Sequence, residues 1–433
     1  MVKKVLPLVI AILLLLGCNK SNSSIENTGE YKTNKHINNE SQESIATGGE
    51  YTAIYSEIAS SWKLGQVGMS MNWSANYVIM QDNTLWSWSI NRHIERFNRL
   101  PQKIMDDVVT VETGFSHTLV IRSDGSLWGW GGNSRGEVGD GTTRRVSFPT
   151  KIMDDAISLA AGARTSFAVK ADGSLWAWGE NYRGSLGSGM LSTWCSLDNI
   201  FISESYLNPT EIMDNVIFVA SGVFHNMAIK SDGSLWVWGK NSYGVIGNGK
   251  KTTIVDFILT EDNDVTRPMK VMENIVCAAA GWNTSFAIDF NGVLWGWGNN
   301  SFGQLGDGTT TNRLAPVKIM EDVISVSAGF AHTLALKSDG SLWAWGENRF
   351  GEIGDGTEEI RLEPVEIMSN VIFIETGLSA GPTDYDFDGT STSAGRSFAI
   401  RTNGSLWGWG LMHHGENGKS LIPIEITYDM LMP

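Results

Sequence analysis

Cysteine is scarce in this chain, with three residues among 433, and this scarcity excludes a small disulfide-stapled scaffold. Basic residues are outnumbered, since 32 Lys and Arg face 47 Asp and Glu. The net charge of −15 repels phosphate backbones, so we expect no nucleic-acid partner. Long apolar runs are also missing, because the run at residues 5–16 is shorter than the ~20 residues of a membrane-spanning helix.

Glycine and tryptophan are abundant instead. The chain has 48 Gly, about 11% against a usual ~7%, and its 18 Trp outnumber its 16 Phe. A disordered chain would lack these aromatic residues, and a helical chain would not carry so much glycine. The combination favours many short strands joined by tight turns.

The N-terminal residues have the pattern of an export signal. Two lysines precede the apolar run, which ends in Leu-Leu-Gly-Cys18, and this arrangement is typical of a signal peptide. The ending resembles the bacterial lipobox, which implies cleavage before Cys18 and a diacylglycerol on its thiol. The alternative is an ordinary secretory leader with a chance cysteine. Residues 19–50 are polar and cannot bury a core, so we expect a flexible tether.

The rest of the chain consists of repeats. A Leu-Trp-x-Trp motif occurs seven times and holds 14 of the 18 Trp, at positions 86/88, 128/130, 176/178, 236/238, 295/297, 343/345 and 407/409. Both Trp of a pair lie on one face of a strand, and a mostly small residue lies between them on the other face. An Asp-Gly or Asn-Gly turn, which favours a type I′ hairpin, precedes six of the pairs.

A second landmark sets the length of the repeat. An Ile-Met or Val-Met pair begins 24 residues before the next Trp pair in five repeats, and 40 residues before Trp407 in the sixth. The sixth repeat therefore carries a 16-residue insertion. Each unit supplies about four short strands, so the sequence predicts an all-β, seven-bladed β-propeller of four-stranded antiparallel blades. We expect a signal peptide at 1–17, a tether at 18–50 and the propeller at 51–433.

The motif Leu-Trp-x-Trp-Gly-x-Asn-x-x-Gly-x-Leu-Gly-x-Gly-Thr, with Gly-x-x-His-(Thr/Ser) upstream, resembles the regulator of chromosome condensation repeat. The resemblance covers about Trp62 to Met430, and the fifth and sixth repeats match best. It implies a seven-bladed propeller whose ring closes between the segment near Trp62 and a last strand at 423–427. The founding family member is a chromatin-bound nucleotide exchange factor for a small GTPase. A secreted bacterial propeller of similar repeats inhibits β-lactamases by protein contact.

The repeated Trp rows are interpreted as blade packing rather than sugar-stacking platforms, because aromatic residues at strict strand period usually belong to a core. The off-pattern Trp73, Trp194 and Trp282 are the better candidates for partner contacts. Trp194 lies in one of three segments that depart from the basic repeat. These segments, where we expect partner contacts, are 188–208, 250–267 and 378–394.

Three histidines, His117, His225 and His332, share one register position in alternate repeats. Such a set suggests a metal site, but a ring of seven separates alternate blades. The family resemblance implies that this histidine serves the fold. We therefore expect a hydrogen-bonding role within each blade.

The insertion of the sixth repeat contains a candidate calcium loop. Asp384, Asp386 and Asp388 alternate and a glycine follows, as in the first half of an EF-hand loop. Gly395 stands where that loop needs its Glu, so calcium binding and a merely acidic exposed loop both stay open. The Asp-Asn-Asp run at 262–264 is a weaker candidate.

No cofactor other than calcium is indicated. No nucleophile and base stand at a recognisable spacing, and no phosphate-cradling loop is present. Cys195 and Cys277 are interpreted as two unrelated thiols, with a disulfide as the alternative, since sequence alone cannot place them within bonding distance.

These features predict a non-catalytic interaction module that binds a protein or a polysaccharide through its loops and insertions. We expect a monomer, lipid-anchored through Cys18 on the extracytoplasmic side of a bacterial cell envelope, at the outer membrane or cell surface. One alternative is an envelope enzyme acting on polysaccharide, which would need convergent titratable groups at one mouth of the ring. The others are a family-type guanine-nucleotide exchange factor, which export and acidic charge oppose, and a secreted enzyme-inhibitor-like binder.

Overall fold

The structure is a computed structural model that describes residues 66–71, 75–89, 101–190, 193–195, 200–202, 204–255, 258–377, 395–411 and 419–427. All of them lie in the compact unit Leu64–Pro433. Among them, no helix has the length and apolar character needed to cross a membrane. The expected leader, the tether and Cys18 lie outside the described residues.

Each repeat forms one antiparallel meander of four strands, numbered along the chain. The first strands are β1 (Gln66–Met71), β5 (Val108–Thr113), β9 (Ala156–Ala161), β15 (Val216–Ser221), β21 (Ile275–Ala280), β25 (Val323–Ala328) and β29 (Val371–Gly377). The second strands are β2 (Ala75–Met80), β6 (His117–Arg122), β10 (Thr165–Lys170), β16 (His225–Lys230), β22 (Thr284–Asp289), β26 (His332–Lys337) and β30 (Arg396–Arg401).

The third strands carry the Trp pairs. They are β3 (Leu85–Ser89), β7 (Leu127–Gly131), β11 (Leu175–Glu180), β17 (Leu235–Gly239), β23 (Leu294–Gly298), β27 (Leu342–Gly346) and β31 (Leu406–Gly410). The outer strands are β4 (Gln102–Met105), β8 (Val146–Met153), β14 (Ser205–Met213), β20 (Val265–Met272), β24 (Arg313–Met320), β28 (Arg361–Met368) and β32 (Ser420–Glu425). Two extra hairpins are β12 (Thr193–Cys195) with β13 (Ile200–Ile202), and β18 (Thr253–Val255) with β19 (Ile258–Glu261). Short 3-10 turns lie at Tyr182–Gly184 and Ser242–Gly244.

Local turn chemistry explains the hairpin between the second and third strands. In blade two, Asp124 Oδ1 accepts hydrogen bonds from the amide and the hydroxyl of Ser126. Gly125 adopts a φ of 79°, which disfavours a side chain. The Ser126 hydroxyl in turn accepts from the Trp128 indole at 2.8 Å. The turn therefore fixes the first Trp of the pair as well as the strand register.

The ring closes by contact between the first strands of blade seven and blade one, β29 and β1. The last strand, β32, pairs with β31 of its own blade, because neighbours joined by a short connection pair most readily. The expected closure between that strand and the segment near Trp62 stays a prediction, because Trp62 lies outside the described residues. Every blade is one continuous stretch of chain.

In blades three to seven, the second Trp of the pair holds the blade against the preceding one. Trp178, Trp238, Trp297, Trp345 and Trp409 are fully buried. Their indole N–H groups donate at 2.8–2.9 Å to backbone carbonyls in the glycine-rich turn of the preceding blade, at Glu137, Ser185, Val245, Gln304 and Glu352. The glycine-rich turn packs directly on the indole ring of the Trp. At Gly139, for example, a Cβ atom would lie only 2.7 Å from Trp178 Nε1. The interpretation of the Trp rows as blade packing is confirmed.

Candidate functional site

The departures from the repeat all open at one end of the propeller. In an antiparallel meander, the loops between first and second strands and between third and fourth strands share one end. The long loops follow this rule: they join β11 to β14, β17 to β20 and β29 to β30. We call this end the insertion face, and the opposite end, with its short Asp-Gly turns, the hairpin face. Residues 378–394 themselves lie outside the described residues, including Asp384, Asp386 and Asp388.

An aromatic cluster spans the ring on the insertion face. In the loops between first and second strands, a glycine is followed by Phe115 in blade two, Trp282 in blade five and Phe330 in blade six. The rings of Phe115 and Trp282 stack with centroids 5.8 Å apart, and Trp282 meets Phe330 edge-on at 4.8 Å. Blades two and five stand on opposite sides of the ring, so the cluster covers this mouth of the central channel.

The structure places the predicted contact residues as follows. Trp282 is partly buried at the centre of the aromatic cluster. Trp194 lies in the hairpin strand β12, and nothing is described of its side chain. Trp73 lies outside the described residues. Trp194 and Trp282 therefore both belong to connecting segments of the insertion face.

A basic and aromatic recess, which we call the arginine pocket, opens beside the cluster between blades two, three and four. The cavity measures about 340 Å³ and is lined by Phe115, Arg135, Ala163, Arg164, Thr165, Glu180, Tyr182, Ser185, Val223 and Phe224. Arg135 Nε lies 3.4 Å and Arg164 Nη1 lies 3.6 Å from the two carboxylate oxygens of Glu180. Two guanidinium groups thus share one carboxylate.

Further cations lie behind the aromatic wall of the pocket. The rings of Tyr182 and Phe224 are 5.4 Å apart, and Lys240 Nζ lies 4.9 Å from the centroid of Phe224. Burial and the neighbouring Arg183 lower the pKa of Lys240. Arg183 itself donates to Asp264 at 2.8 Å. The carboxylate of Asp264 acts in the opposite direction and raises the pKa of Lys240.

The weaker calcium candidate at 262–264 serves the fold. Asp264 accepts hydrogen bonds from Arg183, from the amide of Asn241 and from the hydroxyl of Thr252, so its oxygens are already used. Among the residues that the structure describes, no three His, Cys, Asp or Glu side chains come together in a way that could hold a metal ion. Cys277 is a free, buried thiol in β21, and burial raises its pKa to about 11.

The three histidines bond to the next blade, which corrects the expectation of a bond within each blade. His117, His225 and His332 are buried, and their Nε2 atoms lie 2.9–3.0 Å from the hydroxyls of Ser166, Ser285 and Ser397. The bond crosses because side chains on the face of a strand point at the neighbouring blade. Each serine also donates to the same turn carbonyl that accepts the Trp indole. Burial lowers the pKa of all three imidazoles to about 4.

The His–Ser pair occurs at three junctions, and the junction between blades seven and one is among those that carry other residues at the two positions. Arg396 occupies the histidine position and Asn76 the serine position, as their strand registers show. Both side chains are buried, and Arg396 Nε and Asn76 Oδ1 have no hydrogen-bond partner. Burial lowers the pKa of Arg396 to about 10. A buried unpaired polar atom costs about 1–3 kcal/mol, so these two atoms destabilise the junction.

Introducing a His–Ser pair at this junction is expected to stabilise the ring. The double variant Arg396→His with Asn76→Ser should raise the free energy of unfolding by roughly 1–2 kcal/mol, because both orphaned atoms disappear. Urea unfolding of the double variant and of both single variants measures this gain. A double variant no more stable than the better single variant would contradict the pairing.

Two carboxylates that the sequence analysis missed meet in the central channel. Glu112 in β5 and Glu375 in β29 occupy the same register position of their blades, where other blades carry Ser or Ala. Burial raises the pKa of Glu112 to about 7, and burial together with Glu112 raises the pKa of Glu375. The shared Glu-Thr dipeptide at one register was the signal available in the sequence. The sequence gives no sign that the two carboxylates lie close together, because only the closed ring brings blades two and seven near each other.

Sequence comparison agrees with the repeat pattern. A family model of the regulator of chromosome condensation (RCC1) repeat matches residues 124–169, 172–229, 232–288, 291–336 and 339–377, more than half of the chain. A second model of the same repeat matches 108–137, 156–185, 216–245, 275–304 and 323–352.

Individual relatives match over short segments. The probable E3 ubiquitin-protein ligase HERC3 of Homo sapiens is 38% identical over 95 residues, which cover 21% of this chain and 8% of that protein. The RCC2 homolog of Danio rerio is 35% identical over 88 residues, 20% of this chain and 16% of that protein. The chain thus matches less than a fifth of the length of these relatives.

Two solved structures are similar over most of the ring. Yeast RCC1 (Prp20), solved with Kap60 bound, has a TM-score of 0.61 at 17% identity and covers 93% of this chain and 91% of its own. Human WBSCR16 has a TM-score of 0.60 at 20% identity, with 76% and 85% covered. At these identities the similarity shows the fold alone.

Proposed function

The chain belongs to the regulator of chromosome condensation (RCC1) repeat family, and on that basis we propose that it is a non-catalytic module that binds a partner protein through its insertion face. Proteins with this propeller have been solved or studied with protein partners: Kap60 for yeast RCC1, and Gsp1p and histones for Prp20p. The ligase name of HERC3 applies to a protein of which the matched segment is 8%, so that activity is not transferred.

The observation that carries the proposal is the asymmetry between the two ends of the ring. The three long loops, the aromatic cluster and the arginine pocket belong to the insertion face, whereas the hairpin face repeats one short turn. Loops on a rigid scaffold are where binding residues concentrate, and Trp, Tyr and Arg dominate the energetics of protein interfaces. The insertion face therefore offers one broad, pre-organised contact surface.

Capture of a partner from cell-envelope extract tests the proposal with two matched variants. Tyr243 and Phe290 are exposed aromatic residues in adjacent blades, 41% and 53% accessible, on the insertion and hairpin faces respectively. Tyr243→Asn is expected to reduce capture of a given partner, and Phe290→Asn is expected to leave it unchanged. Asn suits Tyr243, because that residue has a φ of 60°. Capture that depends on Phe290 and not on Tyr243 would place the site on the wrong face.

We also propose that Cys18 anchors the module to a bacterial envelope membrane on the extracytoplasmic side. The sequence supports this with its basic start, short apolar core and Leu-Leu-Gly-Cys18 ending. Several lipid chains on one cysteine bind a membrane firmly. The polar residues 19–50 would span roughly 30 Å as a coil, enough to hold the ring clear of the surface. Cys18→Ala should move the protein from the membrane fraction to the soluble fraction, and a variant that stays membrane-bound refutes the anchor.

A further inference from the structure

We infer that the arginine pocket receives an acidic side chain, flanked by an apolar residue, from a loop of the partner protein. This inference rests on the proposed function, since it assumes a protein docked on the insertion face. The ligand chemistry follows from the charges, the walls and the size of the pocket.

The charges of the pocket are not balanced. Arg135 and Arg164 have side chains 46% and 52% exposed, and both approach Glu180, which is 14% exposed. Their distances to its oxygens, 3.4 and 3.6 Å, exceed the ~2.7–2.9 Å of a tight charge-assisted hydrogen bond. Among the charged side chains that line the pocket, one formal positive charge is left over. A second carboxylate, brought by a partner, would neutralise it and could take bidentate geometry at either guanidinium.

The surroundings strengthen this preference for an anion. Lys240 Nζ lies 4.9 Å from the centroid of the Phe224 ring, whereas Arg183 is already paired with Asp264 at 2.8 Å. Lys240 is therefore a further cation beside the pocket, in addition to Arg135 and Arg164. Elsewhere the chain is strongly acidic, so the pocket is a basic patch on an acidic surface and would steer an acidic loop towards itself.

The walls and the size define the rest of the ligand. Phe115, Tyr182 and Phe224 supply apolar surface next to the guanidinium groups. A cavity of about 340 Å³ lies at the small end of the ~300–1,000 Å³ of ligand sites, and it is bounded by three blades. It therefore suits a single anchoring position with an apolar neighbour rather than a long chain laid across the ring.

Peptide titration of the full chain tests the inference. The probes are an acetylated and amidated Gly-Phe-Glu-Phe-Gly peptide and its counterpart with Gln in place of Glu, titrated at low salt by calorimetry or NMR. The acidic peptide should bind roughly tenfold more tightly than the amide peptide, as a charge-assisted hydrogen bond implies. Arg164→Gln should abolish this preference. Arg122→Gln should retain it, because Arg122 lies at the hairpin face, where it pairs with Asp107.

Glu180→Gln gives a result in the opposite direction. Removing the internal carboxylate frees both guanidinium groups, so the acidic peptide should bind several-fold more tightly than to the unmodified protein. A residue that merely holds the fold together would not produce tighter binding on substitution.

Three results would overturn the inference: equal affinity for the two peptides, an acid preference that survives Arg164→Gln, or tighter Arg164-dependent binding of oligogalacturonate, which would assign the pocket to an acidic glycan. These outcomes are separable from a failure of the proposed function. If partner capture still depends on Tyr243 while the peptides fail, only the pocket assignment falls. If capture ignores Tyr243, the docking face itself is wrong.

Discussion

Trp297→Ala is expected to lower the free energy of unfolding by about 4 kcal/mol, a cost typical of emptying a fully buried aromatic site. Trp297 is fully buried, and its indole donates at 2.8 Å to the Val245 carbonyl of the preceding blade. The substitution removes packing and a hydrogen bond from the junction between blades four and five. Urea unfolding followed by circular dichroism measures the loss without relying on the deleted fluorophore.

Trp295, two residues earlier in the same motif, is the matched control. It is only partly buried, and its indole donates to Asp289 within its own blade at 3.1 Å. Trp295→Ala should therefore cost about 1–2 kcal/mol, within the range of ordinary substitutions. Equal losses from the two variants would show that blade-to-blade contact is not what distinguishes the second Trp.

Glu112→Gln is expected to stabilise the protein at pH 8 by roughly 3 kcal/mol and to have almost no effect at pH 4.5. The folded-state pKa of Glu112, about 7, lies above its ordinary value of 4.5 because of burial. The folded protein holds the proton more tightly than the unfolded chain. Stability is therefore complete below pH 4.5 and is lost as the pH rises through 7. Thermal unfolding at the two pH values measures the difference.

Variants of Glu375, the second channel carboxylate, test whether the two carboxylates interact. Glu375→Gln should also stabilise at pH 8, because the charge of Glu112 contributes to the raised pKa of Glu375. The double variant should gain less than the sum of the single variants, since either substitution removes the mutual repulsion. Glu366→Gln, exposed on the outer strand β28, should change stability little at either pH. If the stability gains of the two single variants simply added up in the double variant, Glu112 and Glu375 would not interact.

The buried histidines change the stability of the protein with pH in the opposite direction to the channel carboxylates. The effect of the carboxylates must therefore be measured by comparing variants. Burial lowers the pKa of His117, His225 and His332 to about 4, so the unfolded chain takes up protons first as the pH falls below 6.5. Their stabilisation is lost on acidification from 6.5 to 4, while that from the channel carboxylates is regained. A wild-type pH curve alone therefore mixes the two effects.

Local chemistry explains what the sequence could predict. The Trp-x-Trp period and the Asp-Gly turns act within one hairpin, so they give blade number and strand order directly. The partner of each indole, a carbonyl in the preceding blade, is far away in sequence: Trp178 and Glu137 are 41 residues apart. The histidines were assigned to the right role but the wrong partner for the same reason.

The sequence predicts which segments form the candidate site, but not which side chains come together there. The insertions indicated loops of interest, and the meander order places them at one end once the strands are known. The arginine pocket could not be found this way, because Arg135, Glu180 and Phe224 come from three consecutive blades that only their packing brings together. No spacing rule connects them.

The continuity of each blade has a consequence for the topology of the polypeptide. Since β32 pairs within its own sheet and β1 to β4 form another, no sheet is shared between the two ends of the described ring. New termini introduced at any inter-blade turn, for instance at Asp107 or Asp322, would leave all seven sheets intact. The ring is therefore suited to circular permutation, and to growth in evolution by duplication of one whole cassette at a time.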